Sequence, residues 1–353
     1  MRDAPAATDL DAVDPFAVLY RSTPELEVLA QRFGASAIEP RLLRGMAWAS
    51  YVVGMEVPGM HGLLGGFSLA LGASDGSAGV ARIQGVDTRT GRIVLESTLD
   101  GVSASIECFA REAPHSLDVE ALRPTGRAQR VDEAVVVVGA SRGLGAALAL
   151  AFLLRGFEVH AVYSTSTEAA DELKRLAGDD AERLHLHRTD AASTSDLEEL
   201  VSDLRARQLP LRGLVLAAAL PPLGMGLSST SAFDLARYVG ASVELVAAPL
   251  GALMPLLDES WVVFCSSAAL SSPPREWPHY VAAKGAIEGL GAWLAAAAPG
   301  VASVVVRPPK LQTELTNTPA GRIGAVPVEP VARWLAERVA SLPPGLVTLE
   351  PPA

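Results

Sequence analysis

Val135-Val136-Val137-Val138 runs directly into Gly139-Ala140-Ser141-Arg142-Gly143-Leu144-Gly145. A short apolar strand, a glycine turn and the start of a helix thus follow one another without a gap. Glycines let the backbone turn tightly and approach a pyrophosphate, whose charge is favoured at the positive end of the following helix. Strand, turn and helix in this order predict a dinucleotide site on a parallel sheet.

Outward from this turn, toward the C-terminus, short Val/Leu/Ala runs alternate with longer helical stretches. Strands are predicted at 134–138, 159–163, 184–187, 214–218, 261–265 and 301–306, with helices at 144–155, 235–257 and 280–297. Thr165 and Glu168 stand at capping-box spacing and predict a helix start between the second and third strands. Strands this apolar on both faces belong in a sheet covered by helices on each side, an α/β doubly wound Rossmann-type fold.

Toward the N-terminus the pattern differs. Residues 40–57 read as one apolar helix, followed by a stretch in which Phe67, Leu69 and Leu71 share a face. Strands at 80–86, 93–97 and 102–111 are separated by turns at Thr90-Gly91 and Asp100-Gly101. In the last strand Val102, Ala104, Ile106 and Cys108 alternate with Ser103, Ser105 and Glu107, the period of a half-buried antiparallel sheet. The polar stretch 113–133, with Pro114, Pro124, Arg123, Arg127 and Arg130, predicts a linker. The 353 residues therefore divide into an α+β domain at 1–128 and an α/β domain at 129–353.

Composition narrows the function classes. Hydrophobic residues are 49% and charged residues 20%, as in globular chains. Lys+Arg number 29 against 40 Asp+Glu, a net charge of −11, so no overall positive field favours nucleic acid or an anionic membrane. Residues 1–14 lack a basic segment followed by an apolar run, and the uncharged stretch 289–306 is broken by Pro299-Gly300. Cys108 and Cys265 each lie in an apolar stretch and predict buried free thiols; together these features point to a cytoplasmic protein. His160, His185 and His187 have no carboxylate or cysteine at metal-ligand spacing, so no metal is expected.

The second strand ends Tyr163-Ser164-Thr165-Ser166, without the carboxylate that an NAD site presents to the ribose 2′-hydroxyl. Arg142 offers a guanidinium for a 2′-phosphate, and Ser164 and Thr165 offer hydroxyls, so NADPH is expected over NADH. Only three basic residues are lysines: Lys174, Lys284 and Lys310. Lys284 follows Tyr280 by four positions, which puts both on one face of the predicted helix. An ammonium beside a phenol favours the phenolate and makes proton exchange feasible, which is general acid/base chemistry. Ser266-Ser267 closes the preceding strand, where α/β proteins place ligands.

With these residues in place, 132–351 resembles the short-chain dehydrogenase/reductase family. The resemblance rests on Gly139, Gly143 and Gly145, Asp190 after the third strand, Ser267, Tyr280 with Lys284, and Arg307-Pro308-Pro309 with Thr313. It implies that Tyr280 exchanges the substrate proton, Lys284 holds the nicotinamide ribose and Ser267 orients the carbonyl. It also implies that Asp190 meets the adenine, Gly139 to Gly145 surround the pyrophosphate, and Pro308 and Thr313 lie beside the nicotinamide. Ala217-Ala218-Ala219-Leu220 replaces the family's Asn-Asn-Ala-Gly, with Ala217 still expected beside the cofactor, and Ser242 stands near the family's relay Asn. The loop from Thr313 to Val326 is expected to cover the substrate.

The first domain resembles a hot-dog fold of the acyl-thioester dehydratase type, through Arg44-Gly45-Met46 and Pro58-Gly59-Met60-His61. The turn at Gly34-Ala35-Ser36-Ala37-Ile38-Glu39-Pro40 lacks that family's catalytic Asp and His, which implies a degenerate acyl-binding or interface domain. Glu56 and His61 could serve as a replacement pair, with a surface or core role as the favoured reading. Together the resemblances imply an NADPH-dependent ketoreductase of a 3-oxoacyl thioester, carrier-bound or free, acting in fatty-acid-like or polyketide biosynthesis as a homo-oligomer. The alternatives are a bifunctional enoyl hydratase/dehydrogenase and a non-catalytic NADPH-binding scaffold.

Overall fold

The structure, a computed structural model, describes residues 16–18, 20, 25–32, 37–112, 115–126, 129–222, 224–228 and 231–352. The N-terminal stretch 1–14, Gly34-Ala35-Ser36 of the expected catalytic turn, Pro114, Arg127 and the expected boundary at 128 lie outside these residues. Two compact units form, Met1–Pro114 with Asn317–Ile323, and His115–Thr316 with Gly324–Ala353.

The first unit contains β1 (Phe16–Val18), α1 (Glu25–Arg32), α2 (Pro40–Tyr51), β2 (Gly62–Leu71), β3 (Gly79–Asp87), β4 (Arg92–Leu99) and β5 (Val102–Ala110). Its strands pair antiparallel in the order β1-β3-β4-β5-β2. Pro40 opens α2 at a position where its missing N–H costs nothing, and the Glu39 carboxylate caps the helix by accepting from Leu42 N at 3.0 Å. The predicted helix continues only as a wider turn over Val52–Glu56. Trp48, Ala49, Ile93, Leu95, Ile106 and Cys108 form the core. On the edge strand β2, Phe67 and Leu71 are 38% and 43% exposed.

The second unit contains α3 (Val119–Leu122), β6 (Ala134–Val138), α4 (Gly143–Leu154), β7 (Glu158–Tyr163), α5 (Thr167–Leu176), β8 (Leu184–Arg188), α6 (Thr194–Arg207) and β9 (Leu211–Leu216). It continues with α7 (Ala232–Leu253), β10 (Leu257–Cys265), α8 (Pro278–Ala297) and β11 (Ala302–Val306). After α9 (Pro319–Arg322), which belongs to the first unit, it ends with α10 (Val328–Val339) and β12 (Gly345–Leu349). The sheet is parallel, in the order β12-β11-β10-β9-β6-β7-β8, with an apolar cluster on each face. This is the Rossmann-type architecture. Since β7 and β8 lie on one side of β6 and β9 on the other, the chain reverses direction between β6 and β9, and the ends of these strands flank a ligand crevice. Helix α7 with its extension to Leu256 is long and apolar enough to cross a membrane, and it packs against α6 and α8.

Two expectations change. The unit boundary falls at Pro114 rather than 128, because α3, inside the expected linker, buries Leu122 against α4 and α10. Helix α5 starts at Thr167 with Ser166 as its N-cap and no side-chain cap, so Thr165 and Glu168 form no capping box.

Candidate active site

The glycine turn is built by close backbone approach. Ala217 N donates to Val138 O at 2.9 Å, which brings the end of β9 against the turn. A Cβ on Gly139, whose φ is +85°, would lie 2.6 Å from Ala218 Cα, and one on Gly145 would lie 2.1 Å from Gly139 O. Gly143, with φ +58°, faces Thr313, whose Cγ2 would be 3.3 Å from an added Cβ. Thr313 is thereby brought to the turn from far along the chain. Arg142 is the N-cap of α4 and supplies no side-chain cap, so no cap occupies the first amides of α4, beside Ser141 and Leu144.

On the second-strand side, Ser164, Thr165 and Arg142 are exposed, and no carboxylate among the described residues pairs with Arg142. Arg188 joins them, its Nε donating to Ser164 O at 3.3 Å. Sequence reasoning missed Arg188; the parallel register that sets it opposite Tyr163 appears only with the sheet order. Asp190 lies at the end of β8, where its Oδ1 accepts from Ala192 N at 3.0 Å and its own N–H donates to Asp196 Oδ2 at 3.0 Å. That backbone N–H and the Ser193 hydroxyl hold the Asp196 carboxyl below the usual carboxylate range.

Helix α8 carries Tyr280 and Lys284. Lys284 is buried, its Nζ donates to Cys265 O at 2.7 Å, and its ammonium lies 5.6 Å from the centre of the Tyr280 ring. Trp277 meets Tyr280 edge-on at 5.8 Å. Ser267, at the end of β10, accepts from Ala269 N at 3.1 Å, which leaves its own O–H able to donate elsewhere. Pro308 is buried and its carbonyl accepts from Ala268 N at 3.0 Å, so the Ser267 turn and the loop after β11 are tied together.

Two further residues enter that spacing alone did not reveal. Tyr238 on α7 donates to Leu220 O at 3.0 Å and packs edge-on against buried His279 at 4.4 Å. Burial, with some contribution from the charge of Tyr280, pushes the Tyr238 phenol up to about 12, so it stays neutral. Glu288 on α8 accepts from Ser266 Oγ at 2.6 Å and from Arg307 Nε and Nη2, both at 2.8 Å. Its position one turn beyond Lys284 is the only trace in the sequence.

Other expectations need correction. Residues 317–323, expected to cover the substrate, belong to the first unit; there Asn317 Nδ2 donates to Glu112 O at 3.0 Å and Arg322 pairs with Glu112. Two of the three histidines do meet carboxylates, and the third, His160, lies 2.9 Å from His187. His185 lies 2.8 Å from Glu158 and His187 lies 3.9 Å from Asp203, contacts made by strand pairing and by α6 rather than by sequence spacing. Among the described residues no such group is arranged to hold a metal. Lys174, exposed as expected, also donates to Leu184 O at 3.5 Å. Cys108 and Cys265 are buried free thiols, and burial pushes them up to about 12 and about 11.

Known proteins share this fold. The short chain dehydrogenase family model matches residues 133–320, more than half of the chain. A short chain dehydrogenase from Burkholderia cenocepacia J2315, in complex with NADP, is 22% identical with a TM-score of 0.55, over 64% of this chain and 98% of that one. A 3-ketoacyl-(acyl-carrier-protein) reductase from Brucella melitensis, complexed with NADH, is 20% identical with a TM-score of 0.53, over 62% and 96%. A dehydrogenase/reductase from Sinorhizobium meliloti 1021 gives 20% and 0.54 over 66% and 96%. No curated protein matches the sequence. At these identities the solved structures establish the fold, and the matched family model establishes that the chain belongs to the short-chain dehydrogenase family.

Proposed function

We propose that this protein is an NADPH-dependent ketoreductase that reduces the 3-oxo group of an acyl thioester. The observation that carries the reading is Tyr280 and Lys284 on one face of α8, with Lys284 Nζ anchored on Cys265 O at 2.7 Å beside the Ser267 turn. The chain's donors suit a dinucleotide phosphate. The α4 terminus has no side-chain cap, Arg142 has no carboxylate partner among the described residues, and the end of β7 carries hydroxyls instead of an acid.

When bound, NADPH supplies the hydride that reduces the carbonyl carbon. Tyr280 gives its phenolic proton to the carbonyl oxygen. Lys284, with one N–H on Cys265 O, keeps two others for ribose hydroxyls, and its charge favours the phenolate left on Tyr280. Ser267, its oxygen already engaged by Ala269 N, donates to the carbonyl and sets its direction. Gly139, Gly143 and Gly145 would surround the pyrophosphate, Asp190 and Ala217 would flank the adenosine and ribose, and Pro308 and Thr313 would lie at the nicotinamide. Ser164 and Thr165 join Arg142 at the 2′-phosphate.

The thioester rests on two supports. One solved neighbour is described as a 3-ketoacyl-(acyl-carrier-protein) reductase. The first unit, with α2 packed on an antiparallel sheet, suits a degenerate hot-dog domain that holds an acyl chain. Following NADPH and NADH oxidation with a 3-oxoacyl thioester tests the reading. Turnover that prefers NADPH, with the preference narrowed in Arg142→Ala, is the expected result; equal use of the two cofactors contradicts the 2′-phosphate assignment.

A further inference from the structure

Three segments converge on one carboxylate. The end of β10 reaches it through Ser266 Oγ at 2.6 Å, the end of β11 through the Arg307 fork at 2.8 and 2.8 Å, and the carboxylate itself stands on α8 as Glu288. Tyr280, Lys284 and Glu288 follow one another at four-residue steps on the same helix, so they share one stripe. We propose that Glu288 is a positioning residue, which fixes the Ser267 turn and the Arg307-Pro308-Pro309 loop against the helix that carries Tyr280 and Lys284. The inference rests on the reading that these two residues perform the proton transfer.

The geometry supports more than surface decoration. Residue 266 is held at three points: the preceding carbonyl by Lys284 Nζ, its N–H by Val306 O at 2.8 Å, and its hydroxyl by Glu288. Removing the last leaves, among the described residues, the Lys284 bond to Cys265 O as the side-chain hydrogen bond that ties the end of β10 to α8. The Arg307 contact is bidentate, a planar match that a point charge does not reproduce. Side-chain exposure of 19% for Glu288 and 28% for Arg307 separates this pair from freely solvated ones. A second, more exposed carboxylate, Glu350, lies 3.5 Å from Arg307 Nη1 and leaves the fork to Glu288. The Arg307 fork therefore sets where Pro308 lies, and Pro308 O in turn takes Ala268 N, so the contacts close a ring around Ser267.

The test uses the whole chain and four variants, Glu288→Gln, Arg307→Lys, Ser266→Ala and the Glu288→Gln/Arg307→Lys double variant. Three readouts are taken: kcat and KM for NADPH with a 3-oxoacyl thioester, the fluorescence of bound NADPH, and the melting temperature. Glu288→Gln is expected to lower kcat about tenfold with KM for NADPH within about twofold, and to reduce the fluorescence of bound NADPH. Arg307→Lys should show a similar loss, and the Glu288→Gln/Arg307→Lys double variant should be little worse than either single one, the mark of a shared contact. Unchanged kcat and fluorescence in folded Glu288→Gln would overturn the proposal, as would losses that only follow the folded fraction. If Glu288→Gln does not fold, Ser266→Ala and Arg307→Lys decide by the same criteria. A wild type that binds NADPH but turns over no thioester defeats the proposed substrate, while the fluorescence comparison still decides the role of Glu288.

Discussion

The two sheets meet their surroundings differently. Every residue of β6 is buried, and α4 beside it buries ten of its twelve. In β5, buried positions alternate with exposed or half-exposed ones over the first seven residues, and α2 buries only Gly45, Trp48 and Ala49. A sheet covered on both faces has nowhere to display polar groups except at its strand ends. Ser164, Asp190, Ser267 and Arg307 all stand at or just past those ends, which concentrates these polar groups of the second unit along one edge. The antiparallel sheet instead places polar pairs on its open face, such as Arg92 with Glu107 at 2.7 Å. Its core leans on one large ring: Trp48 is 1% exposed, bonds Ser97 Oγ at 3.0 Å, and is admitted only because residue 79 is glycine, where a Cβ would lie 2.0 Å from the indole.

The comparison is broken most severely at Gly145. In Gly145→Ala the added Cβ meets a backbone carbonyl at 2.1 Å, a contact neither partner can relieve cheaply. A loss of about 4 kcal/mol or more is expected in urea denaturation, together with loss of NADPH binding. Trp48→Ala comes next, at about 3–5 kcal/mol in the same measurement, because a buried aromatic is replaced by a void and Ser97 loses its donor.

The mildest effect is a pH dependence from the edge of the parallel sheet. His160 is buried, with its Nδ1 2.9 Å from His187 Nε2, and it faces His185, with Arg207 and Asp203 of α6 and Glu158 of its own strand nearby. Burial first, then the neighbouring histidines, holds it down to about 2, whereas an unfolded imidazole titrates near 6.5. Below about pH 6.5 the unfolded chain therefore binds more protons, and stability falls as pH falls toward 2. From pH 7 to 5 the unfolding free energy measured in urea should drop with a slope of at most about 1.4 kcal/mol per pH unit for this group. His160→Leu should flatten the slope, leaving the part due to His187, which burial also lowers.

What could be read in advance follows the same division. Val135 to Gly145 was legible because both the strand and the glycines answer to backbone demands that act locally. The alternation from Val102 to Cys108 was legible because one face of β5 is dry. Tyr280 and Lys284 could be paired because four residues make one helical turn. Contacts that depend on which strands become neighbours could not be read: Arg188 beside Ser164, Glu158 beside His185, and Arg307 on Glu288. Residues 317–323 follow a reductase-like strand in sequence yet belong with Glu112 in the first unit, a long-range choice that no local pattern records. The start of α5 at Thr167 shows a capping-box spacing overruled by the path of the chain leaving β7.

The central claim is that Tyr280 is the proton donor of a carbonyl reduction, and Tyr280→Phe tests it most directly because only one oxygen is removed. Wild type and variant are compared for NADPH binding and for NADPH oxidation with a 3-oxoacyl thioester. NADPH binding is expected to stay within about twofold while turnover falls by about a hundredfold or more. Turnover equal to that of the wild type would contradict the claim.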